Sequence, residues 1–182
     1  KHVIFEKGVT KIEDYSFYNY DKNYTNIKTV RIGNSVTSIG YRSFFVCKSL
    51  TTVTIGNSVT SIGNSAFQSC QSLTTITIPE GVTLIDKSTF MYCSNLISIT
   101  MPSSLTTIGS STFGYCISLT SIIIPSNVIN IGEYVFVECR SLTSISIETG
   151  NPKYSSDEYG VLHNKNKSKL IQYPIGNKRT GY

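Results

Sequence analysis

Val59-Thr-Ser-Ile62-Gly63-Asn-Ser-Ala66-Phe67-Gln-Ser-Cys70-Gln-Ser-Leu73-Thr-Thr-Ile76-Thr-Ile78-Pro79-Glu-Gly81 is one 23-residue unit of a repeat. The same step of 23 separates Cys47, Cys70, Cys93, Cys116 and Cys139. It also separates Phe44, Phe67, Phe90, Phe113 and Phe136, and the columns that begin at Ile39 and Leu50 keep it as well. Chance does not hold four residue types in phase over five units. A fixed period of this length is the signature of a stacked repeat, in which each unit buries its apolar face only against its neighbours.

Within the unit, Leu73-x-x-Ile76-x-Ile78 alternates apolar and polar residues near its end, the pattern of a half-buried strand. Pro79, Pro102 and Pro125 follow that segment and end its pairing. Val59-x-x-Ile62 reads as a second, shorter strand. Ala66, Phe67 and Cys70 have helical spacing with room for about one turn. Each coil is therefore expected to run strand, corner, short strand, one-turn helix. A looser unit of 27 residues starts at Val9, with its extra residues near Lys22 to Asn26, where a surface bulge is expected.

The expected architecture is an α/β repeat. Residues 1–150 form a solenoid of about six coils and residues 151–182 a terminal module. In that module Gly160 to His163 and Lys169 to Tyr173 read as a hairpin joined by a basic loop, shielding the open edge of the last coil. His163, beside that loop, is expected to be solvated. The chain opens within a strand, His2 to Phe5, and reads as a piece of something larger.

The words Val-x-x-Ile-Gly-x-x-Ala-Phe-x-x-Cys-x-Ser-Leu, as they stand at Val59 to Leu73, resemble the BspA-like subclass of leucine-rich repeats. So do their copies at Val36, Val82, Leu105 and Val128. The tail, Asn151-Pro-x-Tyr154 through Gly160-Val-Leu-x-Asn164 and Lys169-Leu-Ile-x-Tyr173-Pro174, resembles a module found in the same subclass. The resemblance implies a right-handed solenoid from cell-surface proteins associated with adhesion to host matrix proteins, other cells or glycans. Asp86 departs from the pattern, standing where the other units have Gly40, Gly63, Gly109 and Gly132.

Charged residues make up 15% of the chain, and the net charge of +5 is carried at its ends. Residues 1–35 carry +2 and residues 148–182 carry +3, while four basic and four acidic residues cancel between Val36 and Ile147. A neutral body argues against nucleic acid, which selects a basic stripe. No apolar run approaches the length of a membrane-crossing helix, roughly 18–20 residues. No Ser-His-Asp or Cys-His arrangement and no phosphate loop can be assembled from the two histidines and scattered carboxylates. Catalysis is therefore not expected, and no cofactor or metal is implied.

The cysteines admit two readings. Stacked coils bring neighbouring Cα atoms within disulfide range, but parallel Cβ vectors and an odd count favour a ladder of buried thiols acting as small hydrophobes.

Alternate strand residues point outward. They make two columns. One is Thr29, Thr52, Thr75, Ser98, Ser121 and Ser144; the other is Arg31, Thr54, Thr77, Thr100, Ile123 and Ser146. Apart from Thr29, which shares the first column, these are the candidate ligand-binding residues. Arg31 and Ile123 break the hydroxyl pattern and are the specificity candidates. The face is expected to be flat, rigid and some six strands wide, and to meet an extracellular matrix or host-cell protein, or a glycan. The alternative reading is that the hydroxyls serve only to wet an exposed sheet; a regular threonine array also suits ice, but the neighbouring columns vary too much for that. Asn23 and Asn166 begin glycosylation sequons in expected loops.

Overall fold

The computed structural model describes residues 1–5, 7–18 and 26–178. In chain order the strands are β1 (His2–Phe5), β2 (Lys11–Ile12), β3 (Thr29–Ile32), β4 (Ser38–Ile39), β5 (Thr52–Thr54), β6 (Ser61–Ile62), β7 (Thr75–Thr77) and β8 (Leu84–Ile85). They continue with β9 (Ser98–Thr100), β10 (Thr107–Ile108), β11 (Ser121–Ile124), β12 (Asn130–Ile131), β13 (Ser144–Ile147), β14 (Tyr154–Ser156), β15 (Leu162–Asn164) and β16 (Leu170–Gln172). Odd-numbered strands from β1 to β13 form one side of a parallel solenoid, and even-numbered strands from β2 to β12 form another. The register is the repeat itself: Thr75 lies beside Ser98, Ile76 beside Ile99, and Ser61 beside Ser38.

The apolar columns become interior stacks. Phe44, Phe67, Phe90 and Phe113 are fully buried, and successive rings from Phe44 to Phe136 lie 5.3, 5.7, 6.0 and 5.8 Å apart, tilted by 8° or less. All five cysteines are free and buried, which removes the disulfide alternative. Each thiol donates to the carbonyl of the phenylalanine one coil earlier, as in Cys93 Sγ to Phe67 O at 3.2 Å and Cys139 Sγ to Phe113 O at 3.0 Å. That explains cysteine where a plain hydrophobe would also fill the space: a weak donor reaches a buried carbonyl in need of one. Burial pushes the Cys93 thiol up to about 12 from a usual 9.0.

The one-turn helix is not formed; among the described residues there is no helix. The segment around Phe67 is instead a ladder of turns. Ser65 and Ser69 adopt φ of 56° and 62°, and the same left-handed pair recurs at Ser88 and Tyr92, and at Ser111 and Tyr115. Alternate N–H groups then point along the solenoid axis. Ser65, Phe67 and Ser69 donate to the carbonyls of Lys87, Thr89 and Met91 in the next coil at 2.8–3.0 Å. The intervening Ala66, Gln68 and Cys70 donate three residues back. Two left-handed residues per coil are incompatible with a right-handed helix. They exchange helical bonds for bonds between coils.

Glycine at the corner after each short strand is required by closeness, not by φ. A Cβ on Gly109 would sit 2.5 Å from Lys87 N, and one on Gly63 would sit 2.7 Å from Tyr41 N. Gly40, Gly63, Gly109 and Gly132 each donate to the preceding coil, to Ile12, Ile39, Ile85 and Ile108 respectively, at 2.8 Å. Asp86 carries a Cβ there and makes no such bond to Ile62; its carboxylate instead accepts from Lys87 N at 2.6 Å. The short-strand side breaks at this coil, into β2-β4-β6 and β8-β10-β12.

The terminal module is a three-stranded antiparallel sheet in the order β14-β15-β16, one strand more than the expected hairpin. His163 is buried, not solvated as expected, because β15 is the middle strand of that sheet. The expected bulge near Lys22 and the sequon at Asn23 lie outside the described residues. Asn166 is exposed in the turn before β16, its Oδ1 accepting from Ser168.

Candidate functional site

The odd-numbered strands bury one set of alternate residues and present the other. Val53, Ile76, Ile122 and Ile145 face the core, while Thr52, Thr54, Thr75, Thr77, Ser98, Thr100, Ser121 and Ser146 are exposed and Ser144 is half-buried. Arg31 is exposed, and Ile123 keeps 61% of its surface. The strand registers place these residues in two columns on one face: Arg31 beside Thr54, Thr77 beside Thr100, Ile123 beside Ser146.

The structure corrects one detail. The face is not one sheet six strands wide. Ladder pairing stops between β5 and β7 and between β9 and β11, leaving sheets of three, two and two strands, β1 included. Each interruption opens a shallow cleft. One, of about 290 Å³, runs between Thr52–Ile55 and Thr75–Thr77. The other, of about 260 Å³, lies between β9 and β11 and is walled by Met101, Ile123, Pro125 and Glu148.

Arg31 and Ile123 share a column but are four coils apart, about 19 Å at the usual strand spacing. They cannot grip one small group together. Arg31 is flanked by Thr54 and by Ile4, whose exposed side chain β1 adds to the same column. Ile4 was legible only by aligning His2–Phe5 with Thr29–Ile32 across the insertion. His2 Nδ1 lies 2.7 Å from the Thr29 hydroxyl, so β1 caps the first column with a polar contact.

The face offers hydroxyl donors and acceptors, one guanidinium, and two apolar side chains far apart, Ile4 on the first strand and Ile123 one strand short of the other end. Among the described residues no group of three or more His, Cys, Asp or Glu could hold a metal ion. Among the described residues no helix is long and apolar enough to cross a membrane. Hydroxyl arrays on a rigid surface suit polar recognition, by hydrogen bonds to a glycan or a peptide backbone.

The sequence pattern described as BspA type Leucine rich repeat region matches residues 10–143 in six copies. None of the curated proteins matches the chain. Among solved structures, a leucine rich cell surface protein from Faecalibacterium prausnitzii A2-165 is 30% identical, with a TM-score of 0.65 over 95% of this chain and 54% of its own. A leucine-rich repeat protein from Bacteroides ovatus is 31% identical, with a TM-score of 0.75 over 82% of this chain and 38% of its own. The pneumococcal vaccine antigen PcpA is 25% identical, with a TM-score of 0.85 over 98% of this chain and 48% of its own. The chain thus spans about half the length of these relatives or less. With more than half of its residues matched by the six repeats, the chain belongs to the BspA type leucine rich repeat family.

Proposed function

We propose that this chain is a non-catalytic binding module on the outside of a cell, which recognises an extracellular protein or glycan through its strand face. The observation that carries the reading is the alignment of the candidate side chains in two exposed, in-register columns, interrupted by two clefts. Such a surface is rigid before binding, so little entropy is lost when a partner docks. The name of the Faecalibacterium relative supports the extracellular setting. No cofactor is required.

A screen against matrix proteins and a glycan array tests the proposal. For a ligand so found, Arg31→Ala or Ile123→Asp is expected to weaken binding by about tenfold, the equivalent of 1.4 kcal/mol. Both side chains lie outside the core, so folding is retained. Unchanged affinity in both variants removes the strand face from the account. A second reading is a spacer that holds another domain away from a membrane; the uniform stack, with its phenylalanine column continuous from Phe17 to Phe136, favours it. The spacer reading expects no ligand in the screen and no effect of either substitution on attachment by the longer protein.

A further inference from the structure

Neighbouring coils can bond main chain to main chain on three sides: strand, short strand and turn. One contact in the middle of the stack keeps only the third. On the strand side, Thr51 N donates to Lys28 O and Ile97 N to Thr74 O, both at 2.8 Å. The equivalent bond from Thr74 N to Thr51 O is absent, and β5 does not pair with β7. On the short-strand side, Thr60 N donates to Thr37 O and Thr106 N to Thr83 O, both at 2.9 Å. The equivalent bond from Thr83 N to Thr60 O is absent, as is the corner bond from Asp86 N to Ile62 O, and β6 does not pair with β8. The hydroxyls repeat the pattern. Thr51, Thr60, Thr106 and Thr143 each donate Oγ1 to the preceding coil at 2.9–3.5 Å; Thr74 and Thr83 do not.

All these gaps fall in one contact, residues 51–63 against 74–86. Its turn side is intact. Ser65, Phe67 and Ser69 reach Lys87, Thr89 and Met91, Cys93 Sγ reaches Phe67 O at 3.2 Å, and the Phe67 and Phe90 rings stack at 5.7 Å. The other interruption of the strand face, between β9 and β11, is held on its short-strand side: β10 pairs with β12, and Gly132 N donates to Ile108 O at 2.8 Å. Asp86 accounts for the difference. A Cβ on Gly63 would lie 2.7 Å from Tyr41 N, and Asp86 brings a Cβ to the corresponding place one coil later. Backbone has no rotamer with which to yield, so the coil stands off and the corner acts as a wedge. On the strand face the separation appears as the cleft of about 290 Å³ beside Thr54 and Thr77.

We infer that this seam is a hinge. The two parts of the solenoid open about the turn ladder as axis, parting Thr54 from Thr77 while the phenylalanine and cysteine columns stay stacked. In a stacked repeat, coupling is summed contact by contact, so local opening falls where the bonds are fewest. What crosses the seam on its two open sides is apolar packing within the core, from Val53 and Ile62 to Ile76 and Ile85. Such packing is non-directional and tolerates a change of angle that a hydrogen-bonded ladder resists. The closed stack is the resting form and opening a fluctuation from it. The hinge does not depend on what the strand face binds.

Hydrogen exchange on the unsubstituted chain is the first test. After correction for intrinsic rates, the amides of Thr74 and Thr83 are expected to exchange at least about tenfold faster than those of Ile97 and Thr106, their bonded equivalents one coil later. Asp86→Gly, which removes the wedge, is expected to slow Thr74 and Thr83 by about tenfold and leave Ile97 and Thr106 unchanged. Thiol labelling then locates the axis. Ile76→Cys, placed in the core behind β7, is expected to react while the native Cys70 and Cys93 beside the turn ladder stay protected. Equal exchange at the four amides overturns the inference, as do rates at Thr74 and Thr83 that Asp86→Gly leaves unaltered. Labelling of Cys70 and Cys93 in step with Ile76→Cys also overturns it, since the opening is then global and not a hinge.

Discussion

Replacing Gly109 by alanine isolates the contact on which the stack depends. The added Cβ would lie 2.5 Å from Lys87 N, 2.7 Å from Asp86 C and 3.0 Å from Lys87 Cα, all backbone atoms with no rotamer to change. The coils must separate locally, which also lengthens the 2.8 Å bond from Gly109 N to Ile85 O. Overpacking of this kind costs about 1–3 kcal/mol and a weakened hydrogen bond about 0.5–1.5 kcal/mol. Alanine restricts the unfolded chain and returns about 0.4–1 kcal/mol. The net is a loss of about 2 kcal/mol, or roughly 4–8 °C in melting temperature for a domain of this size. Circular dichroism melts of the two proteins measure it. The position of Asp86 supplies an internal control, because it already bears a Cβ and already lacks the bond: Asp86→Ala should cost less than Gly109→Ala. A Gly109→Ala protein that melts within about 1 °C of the parent would refute the close-approach argument.

The buried thiols predict a pH dependence. Cys47, Cys93 and Cys139 are raised by burial to about 12 from 9.0, so each contribution is whole below pH 9 and is lost as pH rises toward 12. Urea titrations should show stability falling above pH 9, by about 1.4 kcal/mol per pH unit for each thiol that ionises only in the unfolded chain; Cys93→Ala should make that fall shallower by one thiol's share. Val46 is a β-branched residue held at φ 61°, where its column otherwise places Ser69, Tyr92, Tyr115 and Glu138. Val46→Asn is expected to stabilise by about 1 kcal/mol, read as a raised melting temperature, since asparagine accepts the left-handed region.

The columns were legible because a stacked repeat turns sequence period directly into contact. Phe67 over Phe90, Thr75 beside Ser98 and the cysteine ladder all follow from a step of 23. The turn ladder was not legible as such. Ala66, Phe67 and Cys70 have apolar spacing that suits a helix, and the left-handed residues that forbid one are serines and tyrosines, without the glycine that usually marks positive φ. The role of Asp86 was half legible: its departure from glycine is plain, but the lost bond to Ile62 depends on how closely coils approach. The two clefts in the strand face follow from where pairing stops, and no residue type at β5, β7, β9 or β11 announces that. His163 was misread because β14, with only Tyr154–Ser156, gives too short a pattern to reveal that β15 is covered on both edges.

The stacked register itself is open to direct measurement through the spacing of two outward side chains. Nitroxide labels at Thr54→Cys and Ser146→Cys, four coils apart in the same column, report it by pulsed electron–electron spectroscopy, with the five native thiols buried and unlabelled. Stacking predicts one narrow distance distribution centred near 19 Å, four strand spacings. A broad distribution centred at about 50 Å or more, the separation expected between these positions in an unfolded chain, would contradict it.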